Sequence, residues 1–453
     1  MRPEEVASAA VKMARDAGAD HAEVYVTRTR SLSAYVDDSR VKSVEEKLDL
    51  GLSIRVIRSG KVGNSSSSVS SLRQVEACAR SALRASSLVP KDEVFKGFAW
   101  PAKERVHVRN KDPEVEAISP ETLCELLKQL IGSATEAKNV KVPNGVLRAA
   151  ELESLVANTN ELMVRREASL VFLLATAMTG GGSPGEGVES FFSPYLKDLD
   201  AAALGASLRA KAKAAARAKA YKGRSTIQVV MPPHELSEML QGSMHFALSA
   251  ENVNRKRSPL LGKLGKQVTA PVLTLTDDPS DKRGMLSSPY DDEGVPTKRK
   301  PLVKDGVLKG FLYDLYNSHF SSTVSTGNGL RRSSSEAVGN YQLGVSIAPV
   351  CLVVKPGTRS VESMVEGMEA GLVVEKVASA DVHPITGDFG LEVRCGHLVE
   401  KGEVKGTVKH CLLSGNMFRA LGQIGEIAND ATVSRNLILP SMRFDSFELI
   451  GSG

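Results

Sequence analysis

The string His234-Glu235-Leu-Ser-Glu238 sets an imidazole beside a carboxylate, with a second carboxylate one helical turn on. Zinc hydrolases use two imidazoles at such a spacing and a glutamate that activates water. Glu238 stands in the place of the second imidazole, so His234, Glu235 and Glu238 would make an independent metal-dependent hydrolase only through another ligand geometry. His245 shares an angular position with His234 but lies eleven residues on. A rise of 1.5 Å per residue puts it roughly 16 Å away, far beyond bonds of about 2 Å to one ion. The competing structural reading is an ordinary first helical turn whose acids complement the helix dipole.

Other strings carry weaker chemistry. Gly181-Gly-Ser183-Pro-Gly185 has the spacing of a nucleophile elbow, yet Pro184 has no N–H to complete an oxyanion hole. Gly180, Gly182 and Gly185 match a phosphate cradle, but Val188-Glu-Ser-Phe-Phe192 continues as an extended segment where a helix is required. A mobile surface loop is the expectation there. Cys395, His397, His410 and Cys411 surround the turn Glu400-Lys-Gly-Glu403. Pairing Glu400 with Glu403 sets Cys395 opposite Val408 and His397 opposite Gly406, which leaves His410 roughly 13 Å from closing a metal set. Arg209, Lys211, Lys213, Arg217 and Lys219, with Arg255-Lys-Arg257 and Lys298-Arg-Lys300, suit phosphates. A nucleic-acid-binding regulator is nevertheless the weaker expectation, because aromatic residues for base stacking are only 5% of the chain, with Trp100 the one tryptophan.

These residues must be held by elements that the periodicity predicts. At 453 residues the chain exceeds one ordinary hydrophobic core, so two domains are expected, 1–223 and 224–453. Helices are predicted over 3–17, 72–86, 119–136 and 198–220, around an antiparallel meander from Ala22 to about Ser71 and strands over 140–178. In the helix from Pro232 to Leu248, Leu236, Met239, Leu240, Ser243, Met244 and Ala247 form the buried stripe, opposite His234, Glu238, Gln241 and His245. The second half reads mostly as strand: 226–231, 271–276, a hairpin at Lys304-Asp-Gly306, 341–354, 371–377 and a hairpin at Lys401-Gly402. Strands and helices do not alternate, so the fold class is α+β, with a mixed N-terminal domain and a β-rich C-terminal domain. No apolar run is long enough to cross a bilayer. Five scattered cysteines suit free thiols in a reducing compartment, and a cytoplasmic location is expected.

The most informative stretch is Asp291-Asp-Glu-Gly-Val-Pro-Thr297, followed by Thr326-Gly-Asn328. Together with Gly51-Leu-Ser-Ile-Arg-Val-Ile57, Gly60-Lys-Val-Gly63, Leu261-Gly-Lys-Leu-Gly-Lys-Gln-Val268, Thr386-Gly-Asp-Phe389 and Ser414-Gly-Asn416, it resembles the TldD/PmbA peptidase family along most of the chain. Zinc-bearing members carry HExxxH on the helix before the Leu261 segment and a cysteine near the C-terminus. Here that helix reads Gln241-Gly-Ser-Met-His-Phe-Ala-Leu-Ser-Ala-Glu251, and Ile427-Ala-Asn-Asp-Ala-Thr-Val-Ser434 has no cysteine. The resemblance therefore points to the PmbA (TldE) branch. It implies a non-catalytic subunit with no metal or cofactor of its own, pairing with a TldD-like paralogue that holds zinc and cleaves extended peptides, and able to form a homodimer alone. With no apolar run of bilayer length no membrane partner is expected, and Asp291, Asp292, Glu293, Gly294, Thr297, Gly327 and Asn328 become the candidates for lining a peptide channel.

Overall fold

The computed structural model describes residues 1–103, 106–332 and 340–451. In the N-terminal part, α1 (Pro3–Asp16) leads into β1 (His21–Asp37), β2 (Arg40–Arg58) and β3 (Lys61–Ser68), then α2 (Leu72–Ser87), α3 (Pro113–Glu116) and α4 (Pro120–Thr135). β4 (Val140–Asn158), β5 (Met163–Thr179) and β6 (Glu186–Ser193) follow, and α5 (Ala201–Arg217) closes this part. The six strands form one antiparallel sheet in the order β3-β2-β1-β4-β5-β6. Strand side chains alternate between faces. Ala22, Val24 and Val26 of β1 pack with α1 and α2, while Leu32, Ala34 and Val36 of the same strand pack with α4 and α5. One sheet face is thus covered by helices from end to end. Ser119 caps α4 by accepting from the Thr122 N–H, with Pro120 in the first turn.

Opposite the helices, the odd-numbered residues of β1 meet two different environments. Glu23 and Tyr25 are covered by the C-terminal part, whereas Thr27, Thr29, Ser31, Ser33 and Tyr35 remain along an open groove of about 510 Å³. Glu45, Lys47, Asp49, Arg148, the rings of Phe172 and Phe192 and residues 340–342 of the C-terminal part also line it.

β7 (Lys219–Ala220) connects to β8 (Arg224–Met231), and α6 (Pro233–Leu240) continues through a π-helical turn at Gln241–His245 into α7 (Phe246–Leu248). β8 pairs with Ala370–Val377 on one side and Met442–Gly451 on the other. The latter pairs with Cys411–Asn416, which pairs with Asp388–Glu400, which returns to Ala370–Val377. These pairings close on themselves, and the largest apolar core fills the ring and reaches Leu236, Met239, Leu240, Met244, Ala247 and Leu248.

The α+β class and most elements follow the periodicity, with four departures. The face of the 233–248 helix opposite its apolar stripe is also buried at Gln241 and His245, because the π-helical turn rotates its end into the protein. Only Leu275–Asp277 within 271–276, and only Ser346–Ile347 and Leu352–Val354 within 341–354, are strand; the apolar residues between them pack without a pairing edge. The Gly180–Gly187 loop is exposed except at Gly185 and Gly187: a Cβ on either would meet the backbone of α5 at 2.1 or 2.5 Å, so both glycines let the start of β6 press against that helix. Finally, a bulge between Leu398 and Val399 moves the hairpin by one position, so that His397 opposes Thr407 and Gly396 opposes Val408.

Candidate functional site

The acidic glycine turn Asp291–Gly294 sits between the sheet and the C-terminal part, and its geometry is set by its own first carboxylate. Asp291 Oδ1 accepts from the N–H groups of Glu293 (3.0 Å) and Val295 (2.9 Å), and Oδ2 accepts from the Gly329 N–H at 2.9 Å. Gly294 takes φ +80°, and a Cβ there would lie 2.8 Å from Leu162 of the sheet domain. Glycine is the residue that makes this turn and this close approach without strain. Burial, and then Glu293, push the Asp291 carboxyl well above the usual carboxylate range.

Glu293 is the hub. Its Oε1 accepts from Arg55 Nη2 at 2.7 Å and its Oε2 from the Leu315 N–H at 2.8 Å. Arg55 of β2 also grips Glu23, its cross-strand neighbour on β1, at 3.0 and 3.1 Å. Arg331 reaches Glu23 at 3.0 Å and Ser53 Oγ at 3.1 Å, while its backbone N–H donates to Asp292 at 2.8 Å. Glu23 and Glu293 have no exposed surface, and the Arg55 guanidinium also lies over the rings of Phe95 and Phe98. Burial alone would weaken the Arg55 charge, but Glu23 and Glu293 more than offset it and hold the guanidinium above its usual value. Burial raises the Glu23 carboxyl despite Arg55 and Arg331.

All seven residues expected to line a channel are buried. Asp291, Asp292 and Glu293 are spent on this network, and Thr297 donates to the Ser288 carbonyl. Asn328 donates to Asp277 at 2.8 Å, and Gly327, at φ +71°, turns the chain against Pro296. In the single chain they present no side chain to an open channel. The acidic signature instead ties β1 and β2 to the segments 291–297 and 326–331, and one open surface on the sheet domain beside that tie is the hydroxyl-rich groove on β1. The alternating Thr27, Thr29, Ser31, Ser33, Tyr35 pattern was the readable sign of the groove.

Asp314 adds a titratable group to the same region. It caps the helix Leu315–Phe320 by accepting from the Asn317 N–H at 2.7 Å, and burial followed by Glu293 raises its carboxyl to about 6. Because its folded value lies above the unfolded one, its stability contribution is full at low pH and is lost as pH rises from about 4 to about 6. We expect D314N, which retains the capping oxygen, to remove this loss and gain about 3 kcal/mol at pH 7 relative to pH 4, measured by urea unfolding at the two pH values. Parallel pH profiles for the two proteins would refute the assignment.

His234, Glu235 and Glu238 do not converge on a metal. His234 Nδ1 lies 3.1 Å from Ser190 Oγ, Glu235 pairs with Lys376 at 3.0 Å, and Glu238 pairs with Arg435 at 3.1 Å. The His234 imidazole is lowered to about 4 by burial and then by Lys376. Among the described residues no group of three His, Cys, Asp or Glu side chains is arranged to hold a metal ion. His397 faces Glu375 at 3.6 Å and His410 faces Glu392 at 3.7 Å, in separate places. Part of the basic set is taken up by ion pairs, while Arg217, Lys219, Arg255, Lys256, Arg257, Lys298 and Arg299 stay exposed. Lys211 pairs with Glu189 at 2.9 Å, Arg299 with Asp278 at 2.9 Å, Lys300 with Asp277 at 3.0 Å and Arg255 with Glu251 at 3.0 Å.

What the fold does bring together is the helix segment from Gln241 and the stretch ending at Ser434. Ser237 Oγ lies 2.8 Å from Ser434 Oγ, Gln241 Nε2 donates to Asn436 Oδ1 at 3.3 Å, and Arg435 donates to Gln241 Oε1 at 3.2 Å. Hydroxyl and amide groups occupy a junction formed by two segments far apart in sequence.

A helix-covered antiparallel sheet tied by buried ion pairs to a closed β-domain is the architecture of a metallopeptidase family. Family models for PmbA/TldA metallopeptidase domain 1, its central domain and its C-terminal domain match residues 22–86, 113–220 and 224–451, so the chain belongs to the PmbA/TldD family. TldE from Thermococcus kodakarensis superposes with a TM-score of 0.90 at 25% identity, covering 98% of this chain and 100% of that one. Metalloprotease PmbA of Escherichia coli O157:H7 is 26% identical over 97% of this chain and 95% of its own length. A metalloprotease TldD homolog of Haemophilus influenzae is 24% identical over 90% of this chain and 86% of its own length.

Proposed function

We propose that this chain is the non-catalytic, TldE/PmbA-like subunit of a metallopeptidase, and that it pairs with a zinc-bearing TldD-like paralogue to act on unfolded or extended peptides. The observation that carries the reading is the junction of the Gln241 helix with the Ser434–Asn436 stretch. A catalytic zinc requires about three nitrogen, sulfur or carboxylate ligands and a water. Ser237, Ser434, Gln241 and Asn436 are poor zinc ligands, and they already satisfy one another by hydrogen bonds. This chain's contribution is then to shape the peptide's path, for which the groove on β1 offers alternating hydroxyls to a main chain and Phe172 and Phe192 to apolar side chains. In the absence of the paralogue a homodimer is the expected form.

Co-expression with the zinc-bearing paralogue tests the reading. A stable heteromeric complex that contains zinc and cleaves an unfolded peptide is expected, with zinc and cleavage absent from this chain purified alone. Two proteins that migrate separately at micromolar concentration, or stoichiometric zinc and peptide cleavage in the lone chain, would overturn it.

A further inference from the structure

Trp100 is the only tryptophan in the chain, and it is 72% exposed on the connector that joins α2 to α3. The backbone that carries it is nevertheless fixed on both sides. The Lys96 N–H donates to Nδ1 of His319 at 3.2 Å, and the side-chain amides of Asn158 and Asn160 donate to the Ala99 carbonyl at 2.8 and 3.2 Å. Phe95 and Phe98, both buried, pack edge to face with ring centroids 5.5 Å apart. A large apolar ring is therefore displayed to water from an anchored segment, not from a frayed end.

Trp100 borders a cavity of about 450 Å³, and Val324, 73% exposed, borders the same cavity from the loop after the helix Leu315–Phe320. That loop is anchored as well: the Thr323 N–H donates to the Ser318 carbonyl at 2.9 Å, and Ser325 Oγ donates to the Tyr313 carbonyl at 3.1 Å. Phe98 and Leu315 supply buried apolar wall, and Val295 and Pro296, directly after the acidic glycine turn, belong to it too. No carboxylate lines the cavity, whereas Lys96 and His21 do, and Lys96 forms no ion pair among the described residues.

An indole covers a wide flat surface with only two side-chain torsions to order, which is why tryptophan beside a concave wall grips large apolar groups well. A cavity of this size admits one aromatic side chain with its adjoining main chain and is too small for a folded domain. The cationic rim complements a carboxylate next to that side chain.

We propose that this cavity takes an aromatic side chain of an extended peptide against Trp100 and Val324, with Lys96 favouring an acidic residue beside it. The peptide rests on the function proposed above; the aromatic side chain rests on the displayed indole and the cavity.

Because Trp100 is the sole tryptophan, its fluorescence reports occupancy directly. Three probes are titrated into the purified chain: acetyl-Ala-Glu-Phe-Glu-Ala-amide, the same peptide with alanine for phenylalanine, and the same peptide with lysine for both glutamates. The first is expected to change the emission saturably, with the alanine probe binding about tenfold more weakly. The lysine probe is expected to bind about threefold more weakly, the scale of one exposed charge pair. V324D, at an exposed position, keeps the indole and should weaken the first probe about tenfold by placing a polar like charge against it. W100A, followed by calorimetry, should weaken it to the same extent. No saturable change up to millimolar peptide, equal affinity of the first probe and either of the others, or undiminished binding by the two variants would overturn the proposal. So would an emission that follows protein dilution instead of peptide, which would put a second copy of the chain on Trp100, or a tighter response to oligothymidylate, which would make the indole a base-stacking platform. The titration uses this chain alone, so its failure is distinguishable from failure to form a complex with the paralogue.

Discussion

Replacing Glu293 with alanine is expected to cost about 3–5 kcal/mol of unfolding free energy, the range for removing one partner of a buried ion pair. The loss comes from several sources at once. Arg55 keeps Glu23 but loses its 2.7 Å contact, and the Leu315 N–H loses its acceptor where the helix Leu315–Phe320 begins. Arg55 is held in place by Phe95 and Phe98 and cannot swing out to water without breaking that packing. E403A is the control, because Glu403 pairs with Lys405 at a fully exposed turn and its loss should leave the denaturation midpoint unchanged. Equal midpoints for E293A and E403A in urea unfolding would show that the buried network does not tie the two parts together. Since the network spans β1, β2 and the 291–331 region, E293A should also expose the 291–297 turn to proteolysis ahead of global unfolding.

Acid is the second strong lever. His234 and His245 are both lowered to about 4, each mainly by burial, against about 6.5 in an unfolded chain. For a base with a depressed folded value, the unfolded chain binds the proton first as pH falls. The stabilising preference for the neutral ring is therefore complete above about 6.5 and is lost progressively down to about 4. Each histidine accounts for about 3 kcal/mol over that window, so the pair is expected to make the protein about 6–7 kcal/mol less stable at pH 4 than at pH 7 before other groups are counted. Asp314 and Asp291 work in the opposite direction, because their raised folded values favour the protonated state. The decisive measurement is thus a difference: H234Q combined with H245Q should flatten the stability profile between pH 6.5 and 4 relative to the parent. A profile that keeps the parent's slope would show that burial of these rings is not what makes the fold acid-sensitive.

Much of the fold was legible because its signals are local. Alternation in Ala22–Val26 and Gly51–Ile57, the cap at Ser119-Pro120, and the Asp305-Gly306 and Lys401-Gly402 turns each specify an element within a few residues. The departures share a different cause. The stretch 341–354 is apolar enough for strand but packs largely without pairing, and the bulge at Leu398 slips a register that turn residues alone do not determine. The π-helical turn that buries Gln241 and His245 arises from packing around α6 and leaves no mark in the 3.6-residue period.

The candidate site divides in the same way. From the linear chain alone came the acidic glycine turn, the family resemblance and the replacement of ligand-type residues at 241–251 and 427–434, because these depend on which side chains are present. Only the tertiary structure decided that Asp291, Asp292 and Glu293 face inward, that Arg55 and Arg331 come from regions more than 270 residues apart to meet Glu23, and that Trp100 and Val324 border one cavity. The physical reason is that a carboxylate's role follows from its dielectric surroundings and nearest cation, and both are supplied by segments distant in sequence.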